Sequence, residues 1–134
     1  MKQARYLLDT GVLIRHLRGR SEAIKLVRHL GRRERLAIAT VSRLEIRAGM
    51  LPKEKSQTQK LFSRFVNYDL DAEIADRAGD YIREYRAQGI TLSVPDAIIA
   101  ATSIKHRLAL VTLNPKHFPM LGLSLFPLGT LENG

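Results

Sequence analysis

Short apolar runs that alternate with helix-forming segments constrain the fold of this chain more than any other feature. We predict buried strands at residues 5–9, 36–41 and 108–112, a short strand at 67–70, and an edge strand at 123–128. An apolar run without strict alternation of polar residues is typical of a strand that is covered on both faces. The sequence therefore predicts a three-layer α/β/α fold with a mainly parallel sheet of four or five strands.

The segments between these strands carry the 3.6-residue periodicity and the capping residues of helices. Ser21 and Asp71 are placed to cap two of them, and Gly89 to end one. No repeat, low-complexity tract or linker interrupts the pattern, so residues 1–134 are assigned to one domain. The predicted helices cover residues 12–17, 21–30, 42–49, 53–65, 72–88 and 95–104.

The charge balance favours an anionic partner. The chain has 22 Lys and Arg against 13 Asp and Glu, a net charge of +9, which is typical of proteins that bind nucleic acid or an acidic protein tail. It has no cysteine, which excludes disulfides, thiolate metal sites and a cysteine nucleophile and fits a reducing cytoplasm. No apolar stretch approaches the roughly 18 residues that a membrane span needs, so we expect a cytoplasmic protein without a membrane partner.

Acidic residues follow two predicted strands and open a later helix. Asp9 comes directly after the first strand, Glu45 lies in the first turn of the helix after the second, and Asp96 follows Pro95 at the start of an apolar helix. Ligands of an open parallel sheet bind beyond the carboxyl ends of its strands. We therefore expect these acids to meet at one edge of the sheet.

A cluster of carboxylates needs a counter-charge. Near a protein surface, two such charges about 4 Å apart repel by roughly 4 kcal/mol. Oxygen ligands without a thiol suit a hard cation, Mg²⁺ or Mn²⁺. Such a cation can polarise a water that attacks a phosphodiester, so the sequence predicts a metal-dependent nuclease site inside a basic protein.

Each acid also has a purely structural interpretation. Asp9 can cap the helix that follows it, and Glu45 can close a capping box with Ser42. Asp96 can be stabilised by the dipole at the start of its helix. These roles can coexist with metal binding, because helix N-termini and metal ligands share the same edge of the sheet.

Four segments in order resemble the motifs of PIN domains, above all the VapC-type toxins of toxin–antitoxin pairs. They are LLDTGVLI at 7–14, TVSRLEIRAG at 40–49, LSVPDAIIAA at 92–101 and LVTLNPKHF at 110–118, and the ending around 121–123 is similar too. The resemblance covers essentially the whole chain. It implies a magnesium-dependent endoribonuclease in which Asp9, Glu45 and Asp96 are the catalytic and metal-binding acids.

The fourth motif departs from the common PIN pattern. Many PIN domains have another aspartate where this chain has Asn114. The resemblance then implies a three-acid site, one tightly held metal, and Asn114 as a supporting contact. Thr10 and Thr112 are expected to hydrogen-bond the acids, or else to cap strand ends. His117 could donate a proton to the leaving oxygen, although a structural role is the commoner one, and His16, His29 and His106 are interpreted as surface residues.

The resemblance also implies partners. We expect an RNA substrate, a homodimer, and a VapB-type antitoxin whose C-terminal segment lies across the region of residues 45–65. Its apolar residues are Leu44, Ile46, Met50, Leu51, Leu61 and Phe62, of which at least half are expected to be core.

Two other classes remain open. A non-catalytic RNA- or partner-binding module on the same fold would bind RNA without magnesium and would not cut it. A phosphoacceptor regulator domain also clusters acids at a sheet edge, but it needs adjacent N-terminal acids. Here Asp9 stands alone, and Lys116 lies at a different spacing.

Overall fold

The computed structural model describes residues 3–128, and its elements follow the predicted alternation. The order is β1 (Tyr6–Leu8), α1 (Thr10–Leu17), α2 (Ser21–Gly31), β2 (Leu36–Ala39), α3 (Thr40–Gly49), α4 (Lys55–Ser63), β3 (Val66–Tyr68), α5 (Ala72–Ala87), α6 (Val94–Lys105) and β4 (Ala109–Val111). Single 3₁₀ turns lie at Pro52–Glu54 and Pro115–His117.

The sheet has the order β3–β2–β1–β4, and every neighbouring pair is parallel. In the centre, Tyr6 of β1 is opposite Leu36 of β2 and Ala109 of β4. The carboxyl ends of β1, β2 and β4 therefore lie at one edge. The predicted parallel sheet between helices is confirmed, with four strands.

Successive residues of the central strands point to opposite faces, as a pleated strand requires. Leu7 and Leu110 pack on the face covered by α5 and α6, whereas Leu8 and Val111 pack on the face covered by α1, α2, α3 and α4. All four side chains are completely buried. Both faces are thus filled, which explains why these strands are continuously apolar.

The edge strand predicted at residues 123–128 is wrong. This segment meets β4 only at a parallel bridge between Leu110 and Leu125. The Phe126 N–H donates to the Leu110 carbonyl at 2.8 Å. The ladder cannot continue because β4 ends at Val111, after which Thr112 turns towards Asp9.

Some helix boundaries also differ from the prediction. The helix predicted from Ser42 begins at Thr40, which shortens the second strand to Leu36–Ala39. Ser21 is the first residue of α2 and makes no capping bond, since Arg20 occupies the N-cap position. Asp71 does cap α5, accepting from the Ile74 N–H at 2.8 Å.

Two of the histidines interpreted as surface residues are partly buried. His16 on α1 packs towards α2 and α4, and His106 stacks on Tyr68 with ring centroids 4.2 Å apart. His29 is exposed, as expected. The basic neighbours in sequence suggested a solvated face, but the contacts that partly bury His16 and His106 come from residues distant in the chain.

Across residues 3–128, we find no helix that combines the length and the apolar character needed to cross a membrane.

Candidate active site

Asp9 lies directly beyond the end of β1 and is only 6% exposed. It occupies the N-cap position of α1, yet its side chain makes no capping hydrogen bond. Instead, Asp9 Oδ2 accepts a hydrogen bond of 2.8 Å from the Thr112 hydroxyl, which follows β4. The carboxylate is therefore held across the sheet edge, and helix capping does not account for its burial.

The surroundings of Asp9 disfavour its charge. Burial raises the pKa of Asp9 above its ordinary value; the Thr112 hydroxyl opposes that rise, and the Asp96 carboxylate adds to it. The nearby N–H groups of Thr10 and Gly11 lower the pKa slightly. Within residues 3–128, no Lys or Arg forms an ion pair with Asp9 or Asp96. The pair of carboxylates therefore has no Lys or Arg counter-charge among the described residues, and the basic side chain beside it is His117.

Asp96 is in the first turn of α6, but it does not cap that helix. The cap is Ser93, whose hydroxyl accepts from the Asp96 N–H at 3.1 Å. This leaves the Asp96 carboxylate, 23% exposed, available for other partners. Its neighbours are the Asp9 carboxylate and the imidazole of His117, whose Nδ1 lies 3.7 Å from Asp96 Oδ2.

Glu45 takes no part in the capping box that the sequence allowed. Because α3 begins at Thr40, Ala39 is its N-cap and Ser42 lies inside the helix, completely buried. The Thr10 hydroxyl donates to Glu45 Oε1 at 2.8 Å and lies 2.8 Å from the Ser42 hydroxyl. Glu45 is thus oriented by the residue that follows Asp9.

The structure brings two of the three predicted acids, Asp9 and Asp96, together directly, and it joins Glu45 to them only through Thr10. Asp9 and Asp96 interact through their charges. Within the described part of the chain, no three Asp, Glu, His or Cys side chains are close enough to form a complete metal ligand set. Two oxygen-donor side chains fit Mg²⁺, which keeps several waters and commonly binds one or two carboxylates.

Two of the predicted supporting residues, Thr10 and Thr112, contact the acids through their hydroxyls. The predicted hydrogen bonds of Thr10 and Thr112 to the acids are present. Asn114 donates its backbone N–H to the Thr112 hydroxyl at 3.0 Å, and its exposed side chain remains available to solvent. A contact from the Asn114 amide oxygen to a metal or its water stays a prediction.

Two serines were missed as members of this network. Ser42 was assigned to a capping box, and its bond to Thr10 joins residues 32 positions apart, which sequence spacing alone does not reveal. Ser93 was detectable, because Ser-x-x-Asp before an apolar run is a capping signature.

Removal of the Thr10 hydroxyl should misorient Glu45. We expect Thr10→Val, which keeps the side-chain shape, to lower the turnover of the site about tenfold. The variant loses the hydrogen bond to Glu45 and also leaves the buried Ser42 hydroxyl without its partner. Thr10→Ser keeps the hydroxyl and is the matched control. Steady-state kinetics on one RNA substrate would measure the effect. Equal turnover of Thr10→Val and Thr10→Ser would show that the Glu45 contact has no functional role.

The apolar region expected to receive a partner is partly core, as predicted. Ile46, Leu61 and Phe62 are buried, whereas Leu44 and Leu51 are 67% and 53% exposed. The Arg43 guanidinium lies 4.5 Å above the Phe62 ring and covers it further.

Comparisons with known proteins agree with this geometry. The sequence model of the PIN domain family matches residues 6–119. Ribonuclease VapC10 of Mycobacterium tuberculosis is 39% identical over 114 residues, which cover 85% of this chain and 86% of that protein. A toxin–antitoxin complex from Klebsiella pneumoniae is 33% identical with a TM-score of 0.71, covering 88% of this chain and 94% of that one.

A further likeness is to the fold alone. The DNA-bound VapBC structure from Salmonella typhimurium has a TM-score of 0.80 at 22% identity, covering 92% of this chain and 98% of that one.

Proposed function

The chain belongs to the PIN domain family, and on that premise we propose that it is a magnesium-dependent endoribonuclease, the toxin of a VapBC-type toxin–antitoxin pair. Its relative VapC10 is named a ribonuclease, and similar structures are toxin–antitoxin complexes. The charge of +9 suits a polyanionic substrate.

One observation carries this proposal. Asp9 is a buried carboxylate beside Asp96, at the carboxyl edge of a parallel sheet, and no Lys or Arg among residues 3–128 is paired with either; the exposed His117 lies 3.7 Å from Asp96. A structural carboxylate in such a place would normally be paired or would cap a helix. Two neighbouring carboxylates without a Lys or Arg partner instead suit a hard cation with oxygen ligands.

The residues have distinct roles in this proposal. Asp9 and Asp96 would hold Mg²⁺, or Mn²⁺, and the Thr112 hydroxyl fixes the orientation of the Asp9 carboxylate by donating to its Oδ2. Glu45, held by Thr10, accepts a hydrogen bond from the attacking water and takes its proton. When bound, the cation supplies charge neutralisation at the scissile phosphate and lowers the pKa of water.

The same proposal includes a protein partner. Toxin–antitoxin complexes are among the similar structures. Leu44 on α3, the helix that carries Glu45, and Leu51 just after this helix are exposed apolar residues. We propose that a VapB-type antitoxin covers this region and that the toxin forms a homodimer in the cytoplasm.

Cleavage of RNA by the purified protein tests the function. We expect cleavage with Mg²⁺ and none after chelation with EDTA, because without the cation the carboxylates repel the phosphate. Readdition of Mg²⁺ or Mn²⁺ should restore cutting, whereas Ca²⁺, a larger ion with a looser geometry, should restore much less. RNA that is retained without magnesium and never cut would instead identify a non-catalytic binding module.

A further inference from the structure

A basic cleft lies between α1, α2 and α4, away from the acids. Its volume is about 610 Å³, and its lining includes His16, Arg28, Arg32, Arg35, Arg64 and Phe65. A second cleft shares His16 and Arg64 and extends the surface to Lys60. The two form one continuous surface, which we call the arginine cleft.

The charges of the arginine cleft are uncompensated. In the described range 3–128, the side chains of its four arginines form no ion pair and no hydrogen bond. The acidic lining residue, Glu34, lies 3.6 Å from Arg5. Guanidinium groups that line one cleft without partners are suited to bidentate binding of phosphate oxygens.

His16 provides an independent sign of a missing ligand. Its Nδ1 atom is buried and has no hydrogen-bond partner among residues 3–128, although buried polar atoms are nearly always paired. Burial lowers the pKa of His16, and the charges of Arg64 and Arg28 lower it further. An anion in the cleft would offset those charges and allow the imidazole to bind it.

We infer that the arginine cleft binds the phosphodiester backbone of the single-stranded RNA that is cut at Asp9 and Asp96. This inference rests on the proposed function and adds the path of the substrate. Asp9 precedes α1 and His16 lies near its end, about 10 Å further along the helix axis at 1.5 Å per residue. A strand that leaves the acids along α1 therefore enters the cleft.

The lining of the cleft suits a polynucleotide in more than charge. Phe65 lines the cleft and is half-buried against the core, so only the exposed part of its ring is open to a stacked base. Basic grooves with aromatic residues commonly engage about 4–16 nucleotides of a single strand. An acidic peptide could also pair with the arginines. However, nothing would require such a peptide to lie along α1, the helix that begins beside Asp9.

Salt-dependent binding of an oligoribonucleotide tests the inference. Fluorescence anisotropy in EDTA, which prevents cleavage, would compare Arg28→Gln/Arg64→Gln with Arg77→Gln/Arg86→Gln, a control with the same charge change on α5 across the sheet. We expect the Kd of the first variant to rise at least about tenfold. For this variant, the slope of log K against the logarithm of the salt concentration should become shallower by about 0.7 for each phosphate contact that is lost.

Charge-preserving and kinetic measurements complete the test. Arg28→Lys/Arg64→Lys should recover part of the affinity, because lysine restores the charge but not the bidentate contact, and in Mg²⁺ the glutamine variant should show a higher KM with kcat nearly unchanged. The inference would be overturned if the glutamine variant had the same Kd and KM as the α5 control. It would also be overturned if that variant bound RNA normally and lost only the binding of an acidic protein partner. If the wild-type protein binds RNA through the cleft but never cuts it, the proposed function fails and the inferred binding surface stands.

Discussion

Replacement of Asp96 by asparagine should lower RNA cleavage at least about 100-fold without disturbing the fold. Asparagine keeps the shape of the side chain, and the cap of α6 uses the backbone N–H of residue 96 and the Ser93 hydroxyl, so both survive. The variant loses half of the carboxylate pair that holds the cation. The cation's charge stabilisation is worth several kcal/mol, and each 1.36 kcal/mol corresponds to about a factor of ten in rate.

Rates of RNA cleavage in Mg²⁺ would measure this loss. Asp76→Asn is the matched control, because Asp76 is an exposed acid on α5 and gives the same change in net charge. It should cut at the wild-type rate. An Asp96→Asn protein that unfolds at the wild-type temperature and cuts within threefold of the Asp76→Asn rate would remove Asp96 from the mechanism.

Replacement of Asp9 by asparagine should abolish cleavage and yet stabilise the metal-free protein at neutral pH. Burial, together with Asp96, raises the pKa of Asp9, so the ionised form is disfavoured in the folded state. Such a group contributes stability below its unfolded pKa and loses that contribution as the pH rises through its folded pKa. Asparagine carries no charge and can still accept from the Thr112 hydroxyl.

Thermal unfolding in EDTA across a pH series would measure the difference. We expect Asp9→Asn to have the higher Tm at neutral pH, with the gap closing as acidification protonates Asp9 in the wild-type protein. Mg²⁺ should raise the wild-type Tm, because the folded state alone presents the carboxylate pair, and should leave Asp9→Asn almost unchanged. If metal-free Asp9→Asn had a lower Tm than the wild-type protein at neutral pH, the claim that the folded state disfavours the ionised Asp9 carboxylate would be contradicted.

The fold could be predicted because burial on both faces of the sheet leaves a local pattern in each strand, a continuous apolar run. Leu7 and Leu8 fill opposite faces of the sheet, so β1 had to be apolar throughout. Asp9 could be placed because it follows a strand directly. PIN family membership, predicted from four ordered motifs, is confirmed by the match over residues 6–119.

The parts that sequence reasoning missed depend on contacts between distant residues. Glu45 fitted a capping box with Ser42, but Thr10 binds both side chains across more than thirty positions and α3 starts two residues earlier. The arginine cleft was equally hidden, since Arg28, Arg35 and Arg64, which line it together with His16, come from separate parts of the chain. Charge counting indicated an anionic partner but could not locate its surface.

Mapping the ends of the RNA fragments released in Mg²⁺ tests the central claim most directly. If Asp9 and Asp96 hold a cation and Glu45 accepts the proton of an attacking water, each cut must leave a 5′-phosphate and a 3′-hydroxyl. We predict these ends, and their disappearance in EDTA. Fragments that carry a 5′-hydroxyl and a 2′,3′-cyclic phosphate, and that form equally well in EDTA, would contradict it, because the ribose hydroxyl would then be the nucleophile.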